Sequence, residues 1–342
     1  MRRNRFVQML VVVILAAMPL TASAQFPGTN GKLVYLNLAG DLMSANPDGT
    51  GIVTIVGAST LDATTPPVVN KAGTKFTYTN SAGLALANAD GTGITQLTSN
   101  ASDEFPVFSP DGTKIYFDNG GDILSIGVDG TGRTTLLAHT GTRSYQNATA
   151  SPDGTKLGVV GADSGTSITD LYTVATSGGS ATNVTNNASG TNTFVGDYSP
   201  DGTKFALITR DTTNTNLTTM PVAGGAQTTL LSLANASNAA YTDPSWSPDG
   251  AKLAVLRYTT GVGGGLFSRG TVVTLQANGS GAADVGTLGS QPARAFWSVL
   301  GLSVAPALPN AASPASQLPW AFLGLGLLLI CGIEVRRRIH RA

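Results

Sequence analysis

Short apolar-rich runs follow a lysine throughout the middle of the chain. They are Ile115-Tyr116-Phe117 after Lys114, Leu157-Gly158-Val159-Val160 after Lys156, Phe205-Ala206-Leu207-Ile208 after Lys204, and Leu253-Ala254-Val255-Leu256 after Lys252. Each run has strand length and is rich in β-formers. The same phrase precedes each one: Ser109-Pro110-Asp111-Gly112, Ser151-Pro152-Asp153-Gly154, Ser199-Pro200-Asp201-Gly202 and Ser247-Pro248-Asp249-Gly250. Proline holds φ at about −65°, the value wanted at the second position of a type I turn. Aspartate tolerates the next position, and glycine accepts the left-handed conformation that follows. One step upstream of the serine stand Phe108, Tyr198 and Trp246. The pattern predicts strand, tight turn, strand. Helix is disfavoured because Pro and Gly interrupt it every few residues.

The phrases are 42, 48 and 48 residues apart. That period points to a propeller or solenoid of small sheets rather than one ordinary globular core. A second turn recurs out of phase with the first, as Asp48-Gly49-Thr50-Gly51, Asp90-Gly91-Thr92-Gly93 and Asp129-Gly130-Thr131-Gly132. Looser versions are Ser177-Gly178-Gly179, Ala223-Gly224-Gly225 and Asn278-Gly279-Ser280-Gly281. Each unit thus holds about four strands, as in a propeller blade. Post-turn strands are expected to begin at Lys32, Lys75, Lys114, Lys156, Lys204 and Lys252. Pre-turn strands are expected to end near Val69, Phe108, Ala150, Tyr198, Trp246 and Trp297. The turns before Lys32 and Lys75 are degenerate, Asn30-Gly31 and Lys71-Ala72-Gly73-Thr74. The strand at 32–36 has no partner before it, and the one at 295–298 has no phrase after it. Ring closure leaves one such strand at each end, whereas a solenoid needs polar caps. The expected fold is all-β: a six-bladed β-propeller over residues 26–300, closed by a C-terminal strand that completes the blade begun by the N-terminal three.

Pro244-Ser245-Trp246-Ser247-Pro248-Asp249-Gly250 and Pro106-Val107-Phe108-Ser109-Pro110-Asp111-Gly112 resemble the PD40, or WD40-like, repeat of the TolB-type six-bladed propeller family. Gln96-Leu97-Thr98 resembles that family's outer-strand ending. The resemblance covers nearly the whole repeat region and implies the fold. For function it implies an envelope assembly scaffold, a peptidase gating domain or a propeller of no known activity. The α/β domain that TolB carries before its propeller is not expected here, because the repeats begin within a few residues of position 24.

The ends of the chain read as addresses. Residues 1–24 have a signal-peptide pattern: Arg2, Arg3 and Arg5, then an apolar stretch, then Ala22-Ser23-Ala24. An uncleaved N-terminal anchor is the alternative. Residues 301–317 are an Ala/Ser/Pro-rich linker. Residues 318–333 carry no charge, and a transmembrane or sorting helix is expected over 318–335, with a basic tail at 336–342 containing Arg336, Arg337, Arg338 and Arg341. Sixteen uncharged residues fall short of the ~20 of a typical span. Trp320 and the arginines suit an interface, and a basic stop after an exported domain fits the positive-inside rule. The layout also resembles bacterial C-terminal sorting signals recognised by exosortase-like or rhomboid-like enzymes. The expected place is therefore the periplasm or cell surface of a bacterium, with an anchor in the cytoplasmic membrane unless a sorting peptidase removes it.

Composition adds exclusions. The formal net charge is zero, but the charge is unevenly distributed. Without the signal-peptide and tail arginines and Glu334, 13 Lys+Arg face 19 Asp+Glu, a net of −6. Such a surface suits no nucleic acid. The sole Cys331 lies in the apolar tail and His139 is the only His before it, so His/Cys metal sites are excluded by count. The recurring Asp111, Asp153, Asp201 and Asp249 suggest hydrogen bonds within their own turns rather than a cation ring, and no calcium-loop pattern or Gly-x-Ser-x-Gly elbow is present. No cofactor and no catalytic residue is expected. Asn147, Asn183 and Asn216 head glycosylation sequons that follow from an Asn/Thr-rich composition. Phe108, Tyr198, Trp246 and Trp297 occupy equivalent positions and are expected to pack between blades. Insertions at 161–169 and 257–270 are expected as loops. The reading is a non-enzymatic, membrane-tethered extracytoplasmic propeller that binds another cell-envelope protein or surface component. A gating module for a separate hydrolase and an enzyme using the central channel are the alternatives.

Overall fold

The computed structural model describes residues 30–37, 41–57, 67–165, 168–188, 190–235, 239–259, 269–285 and 292–299. Among them the regular structure is entirely β-strand. Blade 1 contains β1 (Asn30–Asn37), β2 (Leu42–Ala45) and β3 (Val53–Val56). Blade 2 contains β4 (Val68–Val69), β5 (Lys75–Asn80), β6 (Gly83–Asn88) and β7 (Thr95–Gln96). Blade 3 has β8 (Asp103–Phe108), β9 (Lys114–Asn119), β10 (Asp122–Gly127) and β11 (Thr134–Leu137). Blade 4 has β12 (Arg143–Ala150), β13 (Lys156–Asp163), β14 (Thr169–Ala175) and β15 (Thr182–Asn183). Blade 5 has β16 (Asn192–Tyr198), β17 (Lys204–Arg210), β18 (Asn214–Pro221) and β19 (Thr228–Ala234). Blade 6 has β20 (Ala239–Trp246), β21 (Lys252–Thr259), β22 (Arg269–Gln276) and β23 (Ala283–Asp284). Finally β24 (Pro292–Val299) lies beside β1, so the first sheet reads β24-β1-β2-β3.

These are six antiparallel sheets of four strands, a six-bladed propeller. The first strand of each blade packs against the first strand of the next, from β4 to β8 and on through β12, β16, β20 and β24. Those strands are therefore the innermost, around the central channel that propellers form. β24 pairs with β1 in the register Leu33↔Trp297, Val34↔Phe296, Tyr35↔Ala295 and Leu36↔Arg294.

Five post-turn strands start at Lys75, Lys114, Lys156, Lys204 and Lys252. Asn30-Gly31, read from sequence as a turn, is instead the start of β1. Asn30 pairs with Val299, so the neighbouring strand supplies ladder partners that a lone sequence does not reveal. The ends of the two insertions differ from the expectation, and residues 166–167 and 260–268 within them lie outside the described residues. Residues 161–163 continue β13, pairing on one side with 143–145 and on the other with 169–170. Residues 257–259 likewise continue β21, opposite 269–271. These segments lengthen hairpins because pairing on both sides satisfies their backbone groups, which an exposed loop would leave to water.

The apolar core is divided among the blade junctions. Val34, Leu42 and Val56 of blade 1 meet Phe76, Tyr78 and Ala85 of blade 2. Leu84 and Leu86 meet Phe108, Ile115 and Phe117 across the next junction. Tyr116 and Ile123 meet Leu157 and Tyr172, and Leu171 meets Tyr198 and Phe205. Ile208 and Leu217 meet Trp246 and Val255. Leu256 and Val272 of blade 6 meet Leu33 and Tyr35 of blade 1. A four-stranded sheet shows an apolar surface on each face, and only a neighbouring blade can cover it.

Candidate functional site

The repeated turns are the first place to look, and their side chains are turned inward on themselves. In blade 3, Gly112 N–H donates to the Ser109 carbonyl at 2.8 Å, and Ser109 N–H donates to the Lys114 carbonyl at 2.9 Å. Ser109 Oγ donates to Asp111 Oδ1 at 2.6 Å, Thr113 N–H donates to the same oxygen at 3.0 Å, and Lys114 N–H donates to Ser109 Oγ at 2.9 Å. The set repeats at Ser151/Asp153, Ser199/Asp201 and Ser247/Asp249. Hydrogen bonds from Ser109 and Thr113 hold the Asp111 carboxyl below its usual range, outweighing its desolvation. Blade 2 builds the same turn on Asn70, whose Oδ1 accepts from Thr74 and Lys75 N–H. Successive turns also touch. Cβ atoms placed on Gly154, Gly202 and Gly250 would lie 3.8, 3.7 and 3.8 Å from Cδ of Pro110, Pro152 and Pro200 respectively. The sixteen repeated residues thus form a structural rim. Asp48, Asp90 and Asp129 do the same in the second turns, each accepting from the Thr two residues on.

Phe108, Tyr198 and Trp246 are 6, 5 and 7 % exposed and sit in clusters that join adjacent blades. Packing prevails over polar satisfaction here, since Tyr198 Oη and Trp246 Nε1 are buried without a hydrogen-bond partner among the described residues. The side chain of Trp297 lies outside the described residues.

The inner strands carry the features that repetition hides. β8, β12 and β20 each bulge at one level, where the pairing skips between Glu104 and Val107, Gln146 and Thr149, and Thr242 and Ser245. The bulge residues Phe105, Asn147 and Asp243 have φ of 50, 54 and 50°. Asn and Asp tolerate this region, but a bulky Phe is strained there. In β16 the shift falls between Thr193 and Val195, and the intervening Phe194 is 40 % exposed.

Two carboxyls at this level have raised pKa values. Asp118 of β9 is 8 % exposed and stands directly across from Glu104 of β8. Burial first, and the Glu104 charge further, push it up to about 8; the Asn147 N–H from the next blade partly opposes this. Among the described residues its Oδ1 has no hydrogen-bond partner. Asp197 of β16 joins three blades. It accepts from Thr149 Oγ1 at 3.2 Å and Trp246 N–H at 3.3 Å, and burial pushes it up to about 6. Sequence reading missed both. The available signal was register within the repeat: Asp118 aligns with Val160, Ile208 and Leu256, and Asp197 aligns with Val107, Thr149 and Ser245.

His139 is tied to Asp122, whose Oδ1 accepts its backbone N–H at 2.7 Å and lies 2.6 Å from its Nδ1. That contact pins the connection between blades 3 and 4. Beside it lies a shallow cleft of about 220 Å³ lined by residues 140–144 and 162–164. Arg143 in that cleft is held by Asp163 at 2.7 Å and lies over the Tyr172 ring. Among the described residues no group of three or more His, Cys, Asp or Glu is placed to hold a metal ion, and no helix is long and apolar enough to cross a membrane. The signal-peptide, linker, tail-helix and basic-tail expectations, at 1–24, 301–317, 318–335 and 336–342, lie outside the described residues.

No known protein family and no curated protein sequence matches the chain. Solved structures do resemble it. TolB from Acinetobacter baumannii superposes with a TM-score of 0.63 at 21% identity, over 80% of this chain and 68% of that one. A putative TolB from Agrobacterium tumefaciens gives 0.57 at 16%, over 75% and 88%. A chain of a nidogen/laminin complex gives 0.60 at 12%, over 78% and 98%. The fold is that of the TolB-type six-bladed propeller.

Proposed function

We propose that the chain is a non-enzymatic propeller, exported and tethered to the bacterial cytoplasmic membrane, that binds another cell-envelope component through its loops and channel mouth. The observation that carries this reading is the use of the repeated polar residues. Every SPDG aspartate accepts hydrogen bonds within its own turn, so the repeats build a rigid frame and leave the Thr/Asn/Ser/Gly-rich segments for recognition. The likeness to TolB, and to a chain from a complex of two proteins, supports a binding role for such a frame. The signal-peptide pattern at 1–24 and the uncharged stretch before the arginines support export and tethering. In this reading β24 closes the ring, because its pairing with β1 gives blade 1 its fourth strand.

The test is site-specific photocrosslinking in living cells, with the photoreactive residue at Phe194 or at Thr142. A single envelope protein recovered reproducibly from these positions, and not from the rim position Thr113, is the expected result. Equal labelling of many proteins at all three positions would contradict a binding face. The second reading, an enzyme acting in the channel, rests on the raised pKa of Asp118 opposite Glu104. Turnover of a polysaccharide or peptide library that disappears in Asp118→Asn would favour it.

A further inference from the structure

The chain contains three Asn-Gly pairs, at Asn30-Gly31, Asn119-Gly120 and Asn278-Gly279. Such a pair can rearrange without an enzyme. The glycine's backbone nitrogen attacks the side-chain amide carbon of the asparagine, an approach that a residue without Cβ leaves open. The fold treats the three pairs differently. Asn30 and Gly31 lie in β1, where Asn30 pairs with Val299 and the backbone is extended. Asn119 is half-buried, and its Nδ2 donates to Asp103 at 2.7 Å, which ties down the nitrogen that would have to leave. Asn278 is exposed, and its amide is held by the other atom. Its Oδ1 accepts from Ser280 N–H at 3.0 Å and from Ser280 Oγ at 2.7 Å, while its Nδ2 has no partner among the described residues. Two donors aimed at one carbonyl oxygen stabilise the oxyanion that forms when a nucleophile adds to the adjacent carbon.

The site is also shaped for the acid that would result. Asn278-Gly279-Ser280-Gly281 occupies the place that Asp-Gly-Thr-Gly takes in blades 1 to 3. Asp48 Oδ1 accepts from Thr50 N–H at 2.9 Å and from Thr50 Oγ1 at 2.7 Å. Asp90 and Asp129 repeat the pair with Thr92 and Thr131. The backbone agrees: φ is 82, 81 and 81° at Gly49, Gly91 and Gly130, and 89° at Gly279. Gly279 N–H donates to the Gln276 carbonyl at 2.8 Å, as Gly49 N–H does to Asn46 at 2.9 Å. A carboxylate at position 278 would meet the same two donors with a full charge, and charge-assisted hydrogen bonds are the stronger ones.

We propose that Asn278 is a self-modification site: in the folded protein it deamidates to aspartate, with Ser280 N–H and hydroxyl stabilising the oxyanion, and gives blade 6 the acidic turn that blades 1 to 3 carry by sequence. A local opening frees the Gly279 nitrogen from the Gln276 carbonyl. That nitrogen loses its proton to solvent and bonds to Cγ of Asn278. The Cγ–Nδ2 bond then breaks, and the amide nitrogen takes a proton from water and leaves as ammonia. Water opens the resulting cyclic imide. Attack at Cγ gives aspartate, and attack at the backbone carbonyl gives isoaspartate. The Ser280 donors sit on the Cγ oxygen, so they direct water to Cγ.

The experiment ages the purified full chain at neutral pH and follows each Asn-Gly peptide by mass spectrometry with chromatographic separation of the amide, aspartyl and isoaspartyl forms. Conversion at position 278, mainly to aspartate, is expected while positions 30 and 119 stay amides. In urea the three are expected to convert at similar rates. Ser280→Ala removes one donor and is expected to slow conversion in the folded protein about fivefold. Asn278→Asp is expected to melt no lower than the parent. The proposal is overturned if position 278 converts no faster than 119 in the folded protein, if isoaspartate dominates, if Asn278→Asp melts lower, or if Ser280→Ala leaves the rate unchanged or raises it, as a merely loosened turn would. Should Ser280→Ala fold poorly, Ser280→Thr decides, because it keeps both donors: a parent-like rate is expected, and loss of conversion overturns the role of the hydroxyl. None of these outcomes bears on the envelope-binding reading, which is probed at Phe194 and Thr142.

Discussion

At the scale of single residues, the turn glycines and the buried carboxyls make separable predictions. Gly202 has φ of 69° and lies against Pro152 of the previous turn. Gly202→Val forces a β-branched residue into the left-handed region, with an expected loss of about 1–3 kcal/mol. Thr203→Val removes only a hydroxyl that donates to Asp201, and about 1 kcal/mol is expected. Melting temperatures of the two purified variants check the order, and equal losses would contradict the turn assignment. Asp118 gives a pH test. Its folded pKa is raised to about 8 from 3.8, so between those values the native state holds a proton that the unfolded state has released. Stability contributed by this group is complete below pH 4 and lost as pH rises through 8. Asp118→Asn is therefore expected to stabilise the propeller at pH 8 relative to the parent, with the advantage shrinking towards pH 4. Urea midpoints at the two pH values measure it, and a pH-independent difference would argue against a protonated Asp118.

At the scale of elements, the blade is the unit and its neighbour is its solvent shield. Each cluster of apolar side chains spans two blades, so no single sheet buries its own faces. This makes β24 decisive in the closure reading, because blade 1 without it has three strands and an open inner edge. A chain ending at residue 290 is expected to lose the cooperative transition or to aggregate, while one ending at 317 keeps it. Thermal unfolding followed by circular dichroism separates the two. Identical transitions would place the closing contact elsewhere. The inner-strand bulges belong to this scale as well. They recur in β8, β12 and β20 whatever residue occupies them, which marks them as a property of the strand's curvature rather than of Phe105, Asn147 or Asp243.

For the whole molecule, the expectation is a propeller that stands independently of its tail. Deleting residues 318–342 is expected to release a soluble protein with an unchanged melting temperature, because the described strands end at Val299. Fractionation and thermal unfolding are read together. A truncated protein that stays with the membrane places the anchor elsewhere, and one that is soluble but unfolded makes the tail part of the fold.

The repeat period, the strand starts at the five lysines and the internal bonding of the SPDG turns were legible in the chain, because they depend on contacts within a few residues. Proline's fixed φ, glycine's tolerance of positive φ and a short polar side chain at the right offset act locally. The sequence also carried the blade-junction roles of Phe108, Tyr198 and Trp246, since equivalence across repeats implies an equivalent environment. What it did not carry is what depends on partners distant in the chain. Asn30-Gly31 is strand because β24 lies beside it. Residues 161–163 are strand because β12 and β14 lie on either side of them. Asp118 and Asp197 acquire their character from neighbouring blades. Burial and hydrogen bonding between blades are properties of packed surfaces, and only the assembled propeller decides them.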